Sequence, residues 1–446
     1  MSDRVVVLGA GMAGLGAVHR LRAEGLVPEV YDKKTYSGGH AASFVRRGSG
    51  RDFVFDDGPH ISFTQDTRIQ ELLADGVDGV YETLHTRVDN LWRGHRLKHP
   101  AICNLHGLPT DLVVAVIDDF ATAASRDDGP EPRNYAEWLE RAYGRTFAET
   151  FPAVYGRKYH TAPAEAMTTD WLGPRLYRPA LAEVLRGALD PTTADVHYVS
   201  HFRYPTRGGF EAFLRKLVAA ARPRLGREMV TVDPKTRRLT FADGAEVPYH
   251  QLVSSLPLPE LVPRIVGAPQ EVREAASKLA CTTCILVDLA IDRDDVSDHH
   301  WTYFYDEDLV FTRVSYPHLL SPHNAPEGTS TVQAEVYYSE KYRPLGSVDG
   351  LATADDHIEP VIRDLRRAGV LREDDRILLR HASHIPWANI IFDHDRPAAL
   401  ERIFSYLDDV GIATAGRYGR WGYHWTDESF RSGEDAAQTA LDRLGR

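Results

Sequence analysis

Cysteine is scarce in this chain of 446 residues, which carries only Cys103, Cys281 and Cys284. Three thiols cannot build the disulfide framework of a small secreted domain, and so low a number is typical of a protein kept in a reducing cytoplasm. Cys281 and Cys284 form an isolated C-x-x-C within LACTTCILVDLAI, an apolar run that predicts a buried strand. A zinc site needs two further soft ligands, and because none stands at suitable spacing we predict no metal.

The chain also lacks excess positive charge and long apolar runs. Lysine and arginine number 52 against 64 aspartate and glutamate, which gives a formal net charge of −12. Nucleic acid is therefore excluded as the expected partner, since phosphates are neutralised by clustered Lys and Arg, and an anionic small substrate would need a local basic pocket. No run reaches the roughly 18 apolar residues of a membrane span. The N-terminus has no signal-peptide layout, so we expect a cytoplasmic protein without a membrane span.

A strand, a glycine loop and a helix open the sequence. Arg4–Leu8 (RVVVL) predicts a strand buried on both faces, and it leads through GAGMAG (residues 9–14) into a helix that ends at Gly25. A second strand, Val27–Tyr31, is followed by Asp32, whose carboxylate can accept ribose hydroxyls. The glycines permit a tight turn, backbone approach to a pyrophosphate and close helix–strand packing, which together predict dinucleotide binding at the helix N-terminus. The predicted contacts in this unit are Gly9, Gly11, Met12, Ala13, Gly14, Asp32 and Lys33.

Two outer segments favour FAD over NAD as the dinucleotide. Gly38 and Gly39 follow the acid closely and resemble the loop that FAD enzymes place against the diphosphate and the flavin, a loop that NAD dehydrogenases generally lack. Near the C-terminus, GRYG (residues 416–419) precedes a helix predicted over Ser429–Leu444. This arrangement resembles flavoproteins of the amine-oxidase and sugar-mutase type, in which such a helix directs its N-terminus, the positive end of its dipole, at the flavin ring that becomes anionic on reduction. The cofactor contacts predicted here are Gly38, Gly39, His40, Gly416, Arg417, Tyr418, Gly419 and Ser429.

The order of the elements predicts an α/β fold, with a Rossmann-type FAD-binding domain, a helical insert and a second, β-sheet substrate domain. The FAD-binding domain would be assembled from residues 1–80, 205–262 and 400–446. The insert would span residues 81–204 and contact the substrate or its nucleotide. An antiparallel sheet would fill residues 263–399.

Five sequence segments support this predicted domain organisation. Asn134–Pro163 and Leu181–Leu189 are predicted as helices, and Glu228–Pro257 as short strands joined by turns. Ala280–Asp292 and Thr331–Tyr338 predict longer strands of the second sheet. No internal repeat or low-complexity tract interrupts them.

Five further segments point to one family. They are FDDGPH ending at His60, WLGPR ending at Arg175, FRYPTRGG (residues 202–209), the stretch that carries Arg313 ten residues after Tyr303, and GRYGRWGY ending at Tyr423. Together these segments resemble flavin-dependent sugar mutases of the UDP-galactopyranose mutase type, especially the longer eukaryotic-like branch. That family is related to the FAD-dependent amine oxidases and protoporphyrinogen oxidases.

The resemblance assigns roles to several of these residues. It implies that His60 lies beside the flavin, that Arg175 and Arg313 grip the substrate diphosphate, and that Tyr423 is an active-site tyrosine. Arginine suits this task because its planar fork forms bidentate, charge-assisted bonds with phosphates. It would also supply local positive charge in a net-acidic protein. The resemblance further implies Val230 as a cofactor contact and Tyr303 and Asn389 as substrate contacts.

Four positions depart from the family pattern. His99 and Ile102 replace the tyrosine and glutamine that contact uracil in the family, His160 replaces a tryptophan, and Leu320 replaces a tyrosine that follows the second arginine. We expect His99, Ile102 and His160 to remain substrate-contacting positions with altered chemistry. We therefore expect the diphosphate grip and the flavin site to be retained, and recognition of the base and the sugar to be altered.

The resemblance implies an isomerase, a mutase that interconverts the pyranose and furanose forms of a nucleotide-diphospho sugar. Reduced FAD is the active form in the family, and its N5 forms an adduct with the sugar while the nucleoside diphosphate leaves and returns. An electron donor such as NAD(P)H or a reductase would keep the flavin reduced. The alternative is an FAD-dependent oxidase or dehydrogenase of the amine-oxidase or protoporphyrinogen-oxidase type, with His160 as a base. A flavin-binding protein without catalysis is the third possibility.

Overall fold

The computed structural model describes residues 4–125, 130–173, 176–193, 196, 199–347 and 350–446. Its strands, in chain order, are β1 (Val5–Leu8), β2 (Glu29–Tyr31), β3 (Ser43–Gly48), β4 (Arg51–Asp56), β5 (Tyr81–His85), β6 (Val88–Trp92), β7 (His95–Lys98), β8 (His201–Pro205), β9 (Met229–Asp233), β10 (Arg238–Phe241), β11 (Glu246–Pro248), β12 (Gln251–Ser254), β13 (Thr282–Ile291), β14 (Trp301–Phe304), β15 (Arg313–Ser315), β16 (Ser330–Ser339), β17 (Ile377–Ile385) and β18 (Ile412–Thr414).

The α-helices of the described residues are, in chain order, α1 (Met12–Ala23), α2 (Thr67–Gly76), α3 (Thr110–Ala124), α4 (Tyr135–Tyr143), α5 (Arg145–Thr150), α6 (Pro152–His160), α7 (Leu181–Leu189), α8 (Arg215–Ala221), α9 (Leu258–Leu261), α10 (Gln270–Lys278), α11 (Ile358–Arg367), α12 (Arg396–Asp409), α13 (Gly416–Gly419) and α14 (Thr426–Leu444). None of these helices is both long enough and apolar enough to cross a lipid bilayer.

A parallel sheet in the order β18-β12-β1-β2 forms the first half of the molecule. Its central strand β1 has the sequence VVVL and is buried along its whole length, as a strand covered on both faces requires. The four strands come from the start, the middle and the end of the chain, so distant segments meet at one sheet edge. The expected Rossmann-type α/β architecture is confirmed.

Helices α1 and α14 pack against each other and both contact β12. Their backbones touch at two glycines: a Cβ at Gly16 would lie 2.1 Å from the Phe430 carbonyl oxygen, and one at Gly433 would lie 1.9 Å from the Ala13 carbonyl oxygen. The C-terminal helix is therefore seated directly on the helix that follows the glycine loop.

A larger sheet, in the order β17-β13-β16-β15-β14-β6-β7, forms the second half. Its neighbouring strands are antiparallel except β14 and β6, which are parallel. Strands β13 and β16 are interior strands of this sheet and are almost wholly buried. The segment 81–204, predicted as a helical insert, carries α3 to α7 and also contributes β6 and β7 to this sheet.

Local sequence explains where several elements begin and end. Asn134–Pro163, predicted as helical, is divided into α4, α5 and α6, because Gly144 adopts a φ of 78° and Pro152 starts a new helix. Helix α14 begins three residues before the predicted Ser429, and its first turn is closed by the Glu428 carboxylate, which accepts from the Trp425 N–H at 2.8 Å. The short strands predicted within Glu228–Pro257 are confirmed as β9 to β12.

A buried carboxylate lies on the inner strand β13 of the large sheet. Asp288 accepts a hydrogen bond from Gln333 Nε2 at 2.9 Å and has Arg46 Nε at 3.9 Å. Burial raises the pKa of Asp288 to about 7, and the contacts with Gln333 and Arg46 only partly offset this effect. The folded protein therefore keeps a proton on Asp288 at a pH where the unfolded chain has already lost it.

We expect Asp288→Asn to stabilise the protein at pH 8. Between the ordinary aspartate pKa and about 7 the folded state binds more protons than the unfolded state, so wild-type stability falls as pH rises through this window. Asparagine does not titrate, so its advantage should grow to about 2–4 kcal/mol at pH 8 and vanish near pH 4. Urea unfolding at both pH values measures this difference. Asp292→Asn, at a half-exposed carboxylate just beyond the same strand, is the matched control and should change little.

Candidate functional site

A cavity of about 430 Å³ runs between the two halves of the molecule. One end is lined by the glycine loop at residues 9–13 and by Asp32, and the other by Tyr303, Arg313 and Tyr423. The carboxyl ends of parallel strands in an open α/β sheet are where ligands bind. A single cavity therefore joins the predicted nucleotide site to the predicted substrate residues.

The glycine loop is held in a shape that leaves its backbone open to the cavity. Gly9 donates its N–H to the Tyr31 carbonyl oxygen at 2.8 Å and has a φ of 102°, a conformation that side chains disfavour. A Cβ at Gly14 would lie 1.9 Å from the Gly9 carbonyl oxygen, so helix α1 packs there without room for a methyl group. Gly11 caps α1 without a side-chain bond and no acid stands in the first turn, which leaves its N–H groups for an anion.

The acidic residue after β2 holds this loop together. Asp32 accepts hydrogen bonds from the Ala10 N–H and the Lys34 N–H, both at 2.8 Å. A carboxylate has about four acceptor sites, so Asp32 retains capacity for the hydroxyls of a ribose. Lys33 also lines the cavity and pairs with Glu260 at 2.8 Å.

The second glycine pair contacts the first loop directly. The Gly38 N–H donates to the Ala10 carbonyl oxygen at 2.9 Å, and Gly38 and Gly39 have φ values of 92° and 63°. A Cβ at Gly39 would approach Gly11 Cα to 3.2 Å. The two glycine segments thus form one continuous wall at this end of the cavity, and His40 follows in the same wall.

His60 lies farther along the same cavity. Its Nδ1 is 2.8 Å from the Gly58 carbonyl oxygen, which can only accept, so Nδ1 carries the proton. Burial lowers the pKa of His60 to about 4, although the bond to Gly58 opposes this effect. The ring is therefore neutral near pH 7, with Nε2 as an acceptor. Burial also lowers the pKa of His40 well below its ordinary value.

One face of the large sheet forms the floor of the substrate end. Tyr303, Arg313 and Glu335 stand opposite one another on β14, β15 and β16. Arg313 binds Glu335 through one edge of its guanidinium, with Nε at 3.0 Å and Nη2 at 2.7 Å from the carboxylate oxygens. Glu335 also accepts from the Tyr337 hydroxyl at 2.7 Å. Arg313 is therefore oriented by a buried acid, and its charge is balanced before any ligand arrives.

A polar cluster faces this floor from helix α6. The Tyr159 hydroxyl donates to Asn389 Oδ1 at 3.0 Å, and a further hydrogen bond joins Tyr159 to Tyr423. Asn389 Nδ2 is buried and has no hydrogen-bond partner among the described residues. Burial raises the pKa of Tyr159 well above its ordinary value, so this cluster offers neutral hydroxyls and amides.

The C-terminal segment closes the cavity beside these groups. Arg417 donates to the His424 carbonyl oxygen from Nε at 2.9 Å and from Nη2 at 2.7 Å. Its guanidinium lies 5.3 Å from the centre of the Tyr423 ring. The Tyr418 hydroxyl lies 2.9 Å from the carbonyl oxygens of both Trp387 and Ala388. This segment is therefore anchored chiefly through backbone carbonyls.

Most of the residues predicted from the sequence come together at this cavity. Those that line it are Gly9, Gly11, Met12, Ala13, Asp32, Lys33, Gly38, Gly39, His40, His60, Tyr303, Arg313, Asn389, Gly416, Arg417, Tyr418, Tyr423 and Ser429. Gly14 and Gly419 support it from α1 and α13, and Val230 follows the lining residue Met229 on β9. Arg175 lies outside the described residues.

Three predicted substrate positions do not line the cavity. Ile102 is buried in the core of the helical segment. His160 packs between Tyr159 and Trp171, and burial lowers its pKa to about 3. The His99 ring lies 5.0 Å from the ring of the lining residue Tyr303, centre to centre, and is tilted by 44° to it. Ile102 and His160 are thus buried in the protein interior, whereas half-buried His99 contacts the cavity lining only through Tyr303.

Sequence reasoning did not identify Glu335 or Tyr159 as site residues. A signal for Glu335 existed, because its carboxylate interrupts STVQAEVYYS, a strand whose other features predict complete burial. Tyr155 and Tyr159 stand four residues apart, a spacing that puts both rings on one face of α6. Nothing in the sequence pairs Glu335 with Arg313, since strand register decides that contact.

Comparison with known proteins places this geometry in a known architecture. Residues 7–75 match the model of an NAD(P)-binding Rossmann-like domain. The chain is similar to reduced UDP-galactopyranose mutase, with a TM-score of 0.91 and 23% identity over 99% of this chain and 96% of the other. It is also similar to a putative protoporphyrinogen oxidase from Exiguobacterium sp. 255-15 (TM-score 0.75, 16% identity, 100% of both chains) and to putrescine oxidase bound to putrescine (TM-score 0.64, 16% identity, 100% of both chains). The expected resemblance is thus confirmed at the level of the fold.

Proposed function

We propose that this protein is an FAD-dependent mutase that interconverts the pyranose and furanose forms of a nucleotide-diphospho sugar. The observation that carries the proposal is the single cavity that joins the glycine loop to Arg313 and Tyr423. The fold that the chain shares with reduced UDP-galactopyranose mutase supports the same proposal. An electron donor such as NAD(P)H or a reductase would keep the cofactor reduced.

The described residues fit FAD. The Gly9–Gly14 turn and the open N-terminus of α1 would hold the pyrophosphate, and Asp32 retains acceptors for the ribose. The wall from Gly38 through His60 to Tyr418 would hold the ring. When bound in its reduced form, the cofactor supplies a nucleophile towards the anomeric carbon of the sugar.

The side chains of the protein would bind the diphosphate and the sugar hydroxyls at fixed positions. Arg313 keeps one edge of its fork on Glu335 and would present the other to the diphosphate, so that the leaving group stays close enough to return. Tyr159, Asn389 and Tyr423 would bind sugar hydroxyls. Arg175 is proposed as the second diphosphate ligand on the strength of the sequence resemblance.

Purified protein reduced anaerobically with dithionite and mixed with a panel of nucleotide sugars tests this proposal. A pyranose-to-furanose conversion, resolved by chromatography and NMR and seen only with reduced protein, is the expected result. The oxidised protein with the same sugars is the control.

The fold shared with protoporphyrinogen oxidase and putrescine oxidase supports one rival, an FAD-dependent oxidase or dehydrogenase. In that case a substrate alone would bleach the oxidised flavin and yield an oxidised product. That outcome, without sugar interconversion, would rule out the mutase. If no substrate bleaches the flavin and no sugar is converted, the remaining possibility is a flavin-binding protein without catalysis.

A further inference from the structure

Among the described residues, the cationic side chains that line the cavity are, with one exception, already paired with acids. The pairs are Lys33 with Glu260 at 2.8 Å, Lys34 with Asp57 at 3.9 Å, Arg264 with Glu228 at 3.4 Å, Arg313 with Glu335 at 2.7 Å and Arg227 with Asp243. Arg417 has no salt bridge to any acidic residue in the part of the chain that the structure describes. In a protein of net charge −12, Arg417 is thus a half-buried cation without an acidic partner among the described residues.

The contacts of Arg417 hold its charge in place without neutralising it. Nε and Nη2 both donate to the His424 carbonyl oxygen, and Nη1 lies 3.4 Å from the Ala388 carbonyl oxygen. Carbonyl dipoles solvate a guanidinium only in part. A fixed positive charge therefore remains in the half-buried cavity wall, where it is screened less than at the open surface.

Arg417 stands next to the position that the nucleotide must pass. A Cβ at the preceding residue, Gly416, would lie 2.6 Å from Ala13 Cβ in the first turn of α1. Farther along the cavity, the charge of Arg417 reaches His60 and His40 and contributes to the lowered pKa of each, after the larger effect of burial. Arg417 therefore lies between the pyrophosphate end and the neutral histidine wall.

The N-terminus of helix α14 is the other positive feature of this wall, and two acidic residues in its first turn weaken it. The first turn of α14 contains Asp427 and Glu428, and the Glu428 carboxylate already accepts from the Trp425 N–H. Asp427 accepts from Thr64 Oγ1 at 2.7 Å. These two carboxylates partly offset the positive end of the α14 dipole. Among the described residues, Arg417 is therefore the main positive charge of this wall that no acid balances.

We propose that Arg417 sets the reduction potential of the bound flavin by stabilising the negatively charged two-electron-reduced ring. This inference rests on the proposed binding of FAD. Two electrons and one proton convert the neutral oxidised ring into a monoanion, whose single charge Arg417 balances through space. The anionic ring would supply the negative partner that the half-buried guanidinium lacks among the described residues. A mutase gains from this arrangement, because its cofactor must stay reduced between turnovers.

Redox titration of the holoenzyme against a reference dye tests the role of Arg417. Arg417→Gln should lower the preference for reduced over oxidised flavin by about tenfold, which is about 30 mV for a two-electron couple. Arg417→Lys keeps the charge and should retain most of the wild-type potential. Arg420→Gln is the matched control, since Arg420 stacks at 4.4 Å on Phe404 in the same loop and does not line the cavity. Equal potentials for wild type and Arg417→Gln, or equal shifts for the Gln and Lys variants, would overturn the proposal.

A second measurement uses the unaltered protein and does not depend on the folding of a variant. The absorbance of dithionite-reduced holoenzyme should show the anionic ring throughout a titration from pH 9 to pH 5, because the neighbouring cation lowers the pKa of the reduced ring. A neutral reduced ring at pH 7 would contradict the role given to Arg417. Protein that binds no flavin at all would instead refute the proposed function, so the two failures are distinguishable.

Discussion

Replacing Arg313 with methionine is expected to lower kcat/KM for the sugar interconversion by about 10²–10³-fold. Arg313 presents the free edge of its fork to the cavity, and charge-assisted bonds to a diphosphate would strengthen as the leaving group gains charge. Initial rates with dithionite-reduced enzyme measure the effect on catalysis. Titration of the flavin absorbance with the nucleoside diphosphate alone measures the effect on affinity, which should fall in parallel.

The experiment must separate the loss of diphosphate binding from the loss of stability that removing the partner of Glu335 causes. Methionine would leave Glu335, whose side chain is 2% exposed, without its cation, and a stranded buried carboxylate typically costs about 3–5 kcal/mol of stability. The double variant Arg313→Met, Glu335→Gln removes that charge, so it should recover the stability but not the diphosphate affinity. A double variant that binds the diphosphate as tightly as the wild type would refute the proposed grip.

The nucleotide half of the site was predictable because its signals are local. Strand, turn and helix preferences over Arg4–Tyr31 specify the glycine loop without information from elsewhere in the chain. The same holds for Gly38 and Gly39, where positive φ angles restrict the residue type. Backbone requirements of this kind can be recognised in the sequence, because they restrict the residue type at a few consecutive positions.

The substrate half depends on contacts between distant segments. Arg313 meets Glu335 through strand register, and Tyr159 meets Asn389 through the packing of α6 on the loop after β17. A one-residue slip would send either strand partner to the opposite face, so sequence alone cannot specify the pair. The expectation that His99, Ile102 and His160 contact substrate relied on position in a resembling family. In the structure none of these three side chains lines the cavity.

Alanine at Gly14 is expected to destabilise the fold by more than about 4 kcal/mol and to abolish FAD binding. Helix propensity alone predicts the opposite sign, since alanine in a helix is favoured over glycine by about 1 kcal/mol. The close contact decides, because the new Cβ would lie 1.9 Å from the Gly9 carbonyl oxygen, a backbone atom of the neighbouring turn. Urea unfolding and near-ultraviolet circular dichroism measure the loss. Gly156→Ala in α6 is the control, since its nearest neighbour is Tyr135 Cε1 at 3.7 Å, and this change should be neutral or stabilising.

Alanine at Gly11 should separate folding from cofactor binding within the same loop. Gly11 has a φ of −84°, and its added Cβ would meet Gly38 and Gly39 at 3.6 Å, an ordinary contact distance. The fold should therefore survive, while the methyl group keeps the pyrophosphate from approaching the backbone and weakens FAD binding by about 10²-fold. Fluorescence titration of the apoprotein with FAD measures this affinity. A Gly11→Ala protein that folds normally and binds FAD as tightly as the wild type would place the pyrophosphate elsewhere, because a methyl group at its point of closest approach cannot be neutral.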